Sequence, residues 1–233
     1  VERSGGGGRG DLLLRGVVGL VLLVLAVFVV LRLVEDVPHL LAGTPGEDPF
    51  GRRYVAHPWE GYLHIVPGTV FLVLALPQLS ARVRRRHLRL HRRMGRVAIV
   101  LGLLSAAFGL LFGARHAFGG APQTAATVVF GAWFAVTLLL GLRGARGHRV
   151  VQHRRWMIRA FAVSTGVGTI RLWVGLLLGT GLTDFRGAFG WAFWLGLTMH
   201  VVAGEMYLRH RPDVHRVRHH GNGRRRPVPS PGG

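Results

Sequence analysis

Apolar residues along this chain fall into long unbroken runs. From Gly16 to Leu31 there is no polar side chain at all. A soluble domain interrupts such runs with surface polar residues, and the alternation of a membrane barrel strand is also absent. The hydrocarbon core of a bilayer is about 30 Å thick and takes about 20 helical residues to cross. Six segments meet that requirement, at 12–34, 60–81, 94–114, 123–142, 156–180 and 188–208. Backbone in lipid must pair within its own segment, so the segments are helices. The pattern predicts an all-α fold, a polytopic transmembrane bundle of about six helices.

The segments divide the chain into a flexible N-terminal stretch at 1–11, a peripheral transmembrane helix at 12–34, an external loop at 35–59, a five-helix membrane bundle at 60–208 and a disordered basic tail at 209–233. Gly5 to Gly8 mark the first stretch, and Pro38, Pro45, Pro49 and Pro58 make the loop irregular. Trp59 and Tyr62 sit where an interfacial aromatic belt belongs. The first helix reads as a retained anchor, because its apolar body is longer than that of a signal peptide and no small-x-small cleavage site follows.

Lipid supplies no hydrophobic drive between helices, so small residues must let them approach. Gly102, Ala106, Gly109 and Gly113 form such a stripe in the third helix. Ala160, Ser164, Gly168, Gly175 and Gly179 do so in the fifth, and Ala192, Gly196, His200 and Gly204 in the sixth. The first helix has no such stripe, which places it at the periphery. Pro67 and Pro77 each remove a backbone bond and predict kinks in the second helix.

The formal charge is +20, and all 30 basic residues are arginine. In a soluble protein such a balance points to nucleic acid. Here the arginines are sorted by connection. The N-terminal stretch, the second-to-third connection (Arg82 to Arg96), the fourth-to-fifth connection (Arg143 to Arg155) and the tail are basic. The other side has only Arg52, Arg53, Arg115 and Arg186, with six of the ten acids. Basic short loops stay cytoplasmic. The charge is therefore a topology signal for a cell-membrane protein with both termini cytoplasmic. The partners are then the bilayer and anionic lipids at its cytoplasmic face, with no nucleic acid. Absence of cysteine excludes disulfides, thiolate metal sites and a cysteine nucleophile. Absence of lysine excludes a Walker-type phosphate loop and Schiff-base chemistry. Ser105 and Ser164 lie mid-helix without an adjacent base, which argues against a hydrolase.

Ionisable residues at membrane depth are costly and mark candidate sites. Arg171 lies roughly 13 Å from the outer end of the fifth helix, on its small-residue face. His64 has a comparable depth in the second helix, and Glu60 one turn above is a candidate counter-charge for Arg171. The alternative is a structural hydrogen-bonded cluster, or an arginine reaching the headgroups. Nearer the cytoplasm, Arg159 and Glu205 match in depth, which predicts an ion pair that either fixes helix register or transfers a proton. His200 reads as a hydrogen-bonded core residue.

One element occurs twice. His91-Arg92-Arg93-Met94-Gly95-Arg96 opens the third helix, and His153-Arg154-Arg155-Trp156-Met157-Ile158-Arg159 opens the fifth. Together with Leu63-His64-Ile65, Gly68, Pro77-Gln78 and Ile170-Arg171-Leu172, these residues resemble the bacterial membrane-protein family called domain of unknown function 2306. The resemblance implies a multi-pass membrane protein and brings no activity, substrate or cofactor. It singles out His64, Gln78, His91, Arg96, His153, Arg159 and Arg171 as ligand-binding candidates.

Three functions compete. Paired arginines bind carboxylate or phosphate through the guanidinium fork, so an inward-facing His/Arg-lined site of His91, Arg96, His153 and Arg159 for an anionic ligand or lipid is one. A b-type haem held axially by His91 and His153 is the second. A structural or assembly subunit without chemistry is the third. No cofactor is predicted outside the haem alternative. No other metal site is predicted either, although His215, His219 and His220 in the tail could bind a metal weakly.

Overall fold

The computed structural model describes residues 6–46 and 48–210. Its helices are α1 (Gly6–Ala42), α2 (Arg52–Ala56), α3 (Pro58–Leu79), α4 (Ala81–Arg86), α5 (Leu88–Arg115), α6 (Gly120–Arg146), α7 (Val150–Gly179) and α8 (Phe185–His210). No strand occurs among the described residues. Six of the helices (α1, α3, α5, α6, α7 and α8) are long and apolar enough to cross a membrane.

Helix α1 outruns its expected end, so 35–42 of the expected loop is helical. The cause is a charged turn: Arg32 pairs with Glu35 at 2.8 Å and with Asp36 at 2.6 Å, which carries the helix past its apolar run. It stops at Gly43, whose φ of +66° is open to glycine, and the Thr44 amide closes the end on the His39 carbonyl at 3.1 Å. Helix α3 begins with Pro58 in its first turn, where the missing amide hydrogen costs nothing, and runs on through Pro67 and Pro77. Helices α5 and α7 start earlier than their apolar runs, which places His91 and His153 in first turns. Of the expected flexible ends, residues 6–11 are helical and 1–5 lie outside the described residues. So does the tail from Arg211, with His215, His219 and His220.

Helices α3 and α5 form one hairpin and α7 and α8 another. Helix α6 lies between them against α5, α7 and α8, and α1 leans on α7. Small residues make these approaches possible. A Cβ at Gly102 would lie 2.8 Å from Leu138 of α6 and 3.0 Å from Phe71 of α3. One at Gly204 would lie 2.8 Å from Ala162 of α7. Gly175 and Gly179 belong to the α7 stripe by spacing, yet open space surrounds them.

Two apolar clusters hold the bundle. One surrounds Phe71, Ile99, Leu138 and Ala160. The other gathers Phe50, Tyr54, Phe112, Ile170 and Phe189. Outside, Leu20, Leu23, Val27, Val30 and Leu31 of α1 and Val66, Val70 and Val73 of α3 are exposed. Such continuous apolar surface is tolerated against acyl chains and not in water.

The two ends of the bundle differ. Residues 43–46, 48–57, 116–119 and 180–184, with Glu35, Asp36 and Glu60 of the adjoining helix turns, form the end that gathers the acids, here the acidic end, and 80–87 and 147–149 form an arginine end.

Candidate functional site

A cavity of about 200 Å³ lies inside the bundle, between its middle and the acidic end. Its wall is mostly aromatic and aliphatic, with Phe28 of α1, Phe71 of α3 and Phe130 and Phe134 of α6. The polar wall includes Arg171, Arg53, His64, Ser105, Gln123, Thr127 and Ser164, and no carboxylate among the described residues lines it.

Arg171 sits eight residues before the end of α7. Its Nη1 donates to the Val167 carbonyl of its own helix at 2.7 Å, and its guanidinium lies 3.8 Å from the centroid of the Phe28 ring. Its Nε is buried with no hydrogen-bond partner. The Thr127 hydroxyl on the same cavity is likewise buried and unpartnered. Glu60 is not beside Arg171. It faces the acidic end, 3.1 Å from His116 Nε2 and 3.5 Å from Arg115. Spacing along the chain gives the depth of each residue and not the direction in which its side chain leaves the helix.

Arg53 escaped the sequence reading because it stands in a loop helix of five residues. Its guanidinium lies 4.7 Å from the Phe50 ring and 5.3 Å from the Phe118 ring. It donates to the carbonyls of Phe50 and His116. Burial pulls it below the ordinary guanidinium value. The signal for it was Arg-Arg-Tyr set among prolines on the side poor in arginine.

His64 is clamped between α3 and α5. Its Nδ1 donates to the Ser105 carbonyl at 2.9 Å, and Ser105 Oγ donates back to the His64 carbonyl at 2.8 Å. Gly109 leaves the space that the imidazole ring fills. This clamp assigns the proton to Nδ1 and leaves Nε2 as an acceptor.

The remaining candidates lie elsewhere. Arg159 and Glu205 form a two-pronged pair, with Nη2 to Oε2 at 2.8 Å and a second contact from Nε to Oε1. His200 Nδ1 meets Thr165 Oγ1 at 3.1 Å in the α7–α8 seam. Gln78, His91 and His153 gather at the arginine end. Arg96 is exposed there, with its Nε turned back to the Arg92 carbonyl.

At the acidic end, the rings of His57 and His116 stack with centroids 3.6 Å apart. Burial and the facing His57 hold the His116 imidazole below its ordinary value, against the upward pull of Glu60; Arg115 adds to the lowering. A histidine with a depressed native pKa binds fewer protons folded than unfolded. Its stabilising contribution is complete above about pH 6.5 and is lost as pH falls through the native value. The thermal midpoint of the protein should therefore fall between pH 8 and pH 5. His116→Phe, which keeps the stack, should flatten that part of the profile; an unchanged profile in the variant would assign the loss to other groups.

No curated protein and no solved structure matches this chain. A family model described as "predicted membrane protein (DUF2306)" matches residues 61–208, which covers α3 to α8 and leaves out α1. The chain belongs to this family of membrane proteins.

Proposed function

We propose that this membrane protein binds an anionic ligand or the anionic group of a lipid within the bilayer, in the cavity beside Arg171. One observation carries the reading. Arg171 is a guanidinium at membrane depth with no carboxylate in ion-pair range among the described residues, and its Nε is an orphaned donor. Intramembrane charges ordinarily pair with one another. An anion seated between Arg171 and the Thr127 hydroxyl completes both groups, and Arg53 adds a second positive charge. The apolar wall accepts a short acyl chain. The volume lies below the roughly 300–1,000 Å³ of pockets for drug-sized ligands, which favours a small amphiphile over a porphyrin. With the arginine end in the cytoplasm of a cell-membrane protein, this cavity belongs to the outer half of the bilayer.

Octanoate tests the proposal, with octanol as its neutral counterpart. For protein in a non-ionic detergent, octanoate at about 100 times its Kd should stabilise the fold by about 2.7 kcal/mol. Octanol should not. Arg171→Met should lose the octanoate response while gaining basal stability, since it removes a desolvated charge. Arg171→Lys should retain a weakened response, because it keeps the charge without the fork. An octanoate shift of equal size in Arg171→Met would overturn the reading.

A further inference from the structure

The arginine end carries a second group of unsatisfied polar atoms, remote from the cavity. Both amide atoms of Gln78, at the C-terminal end of α3, are buried without a hydrogen-bond partner, and so is His91 Nδ1 in the first turn of α5. A buried primary amide with neither its donor nor its acceptor used is rare, and it marks a place for a ligand or an ion.

The charged groups acting on His91 and Arg84 are basic. His91 lies within electrostatic reach of His153, Arg84 and Arg92, and Arg84 within reach of Arg154, Arg85 and Tyr207. No carboxylate among the described residues acts on either group. Arg84 is fixed, donating through Nη1 to the carbonyls of Gln78 at 3.0 Å and Leu79 at 2.9 Å, so its charge caps the end of α3. His153 is fixed as well. Its Nδ1 donates to the Gly141 carbonyl at 2.8 Å, and Gly144 lets its backbone press against α6. Helices α5 and α7 both begin here, so their positive dipole ends add to the field.

From this arrangement we infer a second binding site, for a phosphate group that carries a hydroxyl, held by Gln78 and His91 with Arg84 and His153 around them. The chemistry follows from the donor set. Cations are repelled. An anion accepts from the Gln78 amide N–H and from His91, whose Nδ1 has no other partner. The Gln78 carbonyl oxygen also needs a donor, and either a singly protonated phosphate or the glycerol hydroxyl of a glycerophosphate supplies one. Free phosphate and a lipid headgroup share this chemistry. The site uses none of the residues of the Arg171 cavity, so the two readings stand or fall separately.

The test uses the full chain in detergent at constant ionic strength, titrated with inorganic phosphate, glycerol-1-phosphate and chloride. A parallel arm compares nanodiscs of phosphatidylcholine with and without phosphatidylglycerol. Phosphate or glycerol-1-phosphate should raise the melting midpoint where chloride does not. Glycerol-1-phosphate acting together with phosphatidylglycerol identifies a headgroup site, and inorganic phosphate acting alone identifies a soluble anion. Gln78→Leu, which removes an unpartnered amide and so preserves the fold, should weaken the response at least tenfold. His91→Leu should do the same, and Arg171→Met should leave it unchanged. A full response in Gln78→Leu would mean that surface arginines alone hold the anion, and would overturn the proposal. A Soret band that is lost in both His91→Leu and His153→Leu would do so too, by assigning the two side chains to haem iron.

Discussion

Asp36→Leu should be among the most destabilising single substitutions in the chain, with an expected loss of about 3 kcal/mol or more. Asp36 is 1% exposed and Arg32 is 5% exposed. The carboxylate accepts from Arg32 Nε at 2.9 Å, from Arg32 Nη2 at 2.6 Å and from the Tyr62 hydroxyl at 2.7 Å. One side chain thus ties the end of α1 to α3. Its removal strands a buried guanidinium and a phenol together. Glu35 at 2.8 Å and Asp48 at 3.7 Å soften the loss, but both are more than two-fifths exposed and interact through a solvated medium. The double variant Arg32→Met, Asp36→Leu should recover much of the stability, because burying neither charge costs less than burying one. Unfolding midpoints of the four proteins in the cycle check this. A single variant as stable as the wild type would show that the pair holds nothing.

The second large effect is expected at Gly168. A Cβ there would lie 2.6 Å from the Val21 carbonyl oxygen and 2.7 Å from Val21 Cγ1, so a side chain must push α1 off α7. The backbone atom cannot rotate away, which makes the strain hard to relieve. Gly168→Val should cost about 1–3 kcal/mol, as overpacking of a tight contact does. It should also lift Phe28 from the face of Arg171 and open the cavity wall that α1 supplies. Gly175→Val, two turns further along the same helix, should change stability by less than about 0.5 kcal/mol because nothing stands within 4 Å. Melting both variants beside wild type decides the matter. Equal losses would mean that intrinsic helix properties, and not the α1 contact, set the cost.

These two cases show where a one-dimensional reading stops. Gly168 and Gly175 look alike in sequence, since both continue a small-residue stripe. Only the position of α1, which reaches one and not the other, separates them. Likewise Arg171 and Glu60 carry opposite charges on adjacent helices at compatible depths. Yet the ring that covers Arg171 comes from α1, while Glu60 turns to the loop at His116. Arg159 and Glu205 have matching depths and do meet, because α7 and α8 form a hairpin and share a long seam. Depth is readable from counting residues, but rotation about the helix axis is not. Arg53 shows a further limit. A five-residue helix in a proline-rich loop has no periodicity to reveal that its arginine folds inward over four aromatic rings.

What the chain determined by itself is the set of six membrane-length helices. Their length and scarcity of charge answer to the thickness and low polarity of a bilayer, a requirement each segment meets alone. What the tertiary structure decided is which faces meet: the wall of the cavity, the separation of Arg171 from every acid among the described residues, and the approach of His91 to His153. Those outcomes depend on close packing among helices distant in sequence, where a single glycine or a one-residue rotation chooses the neighbour.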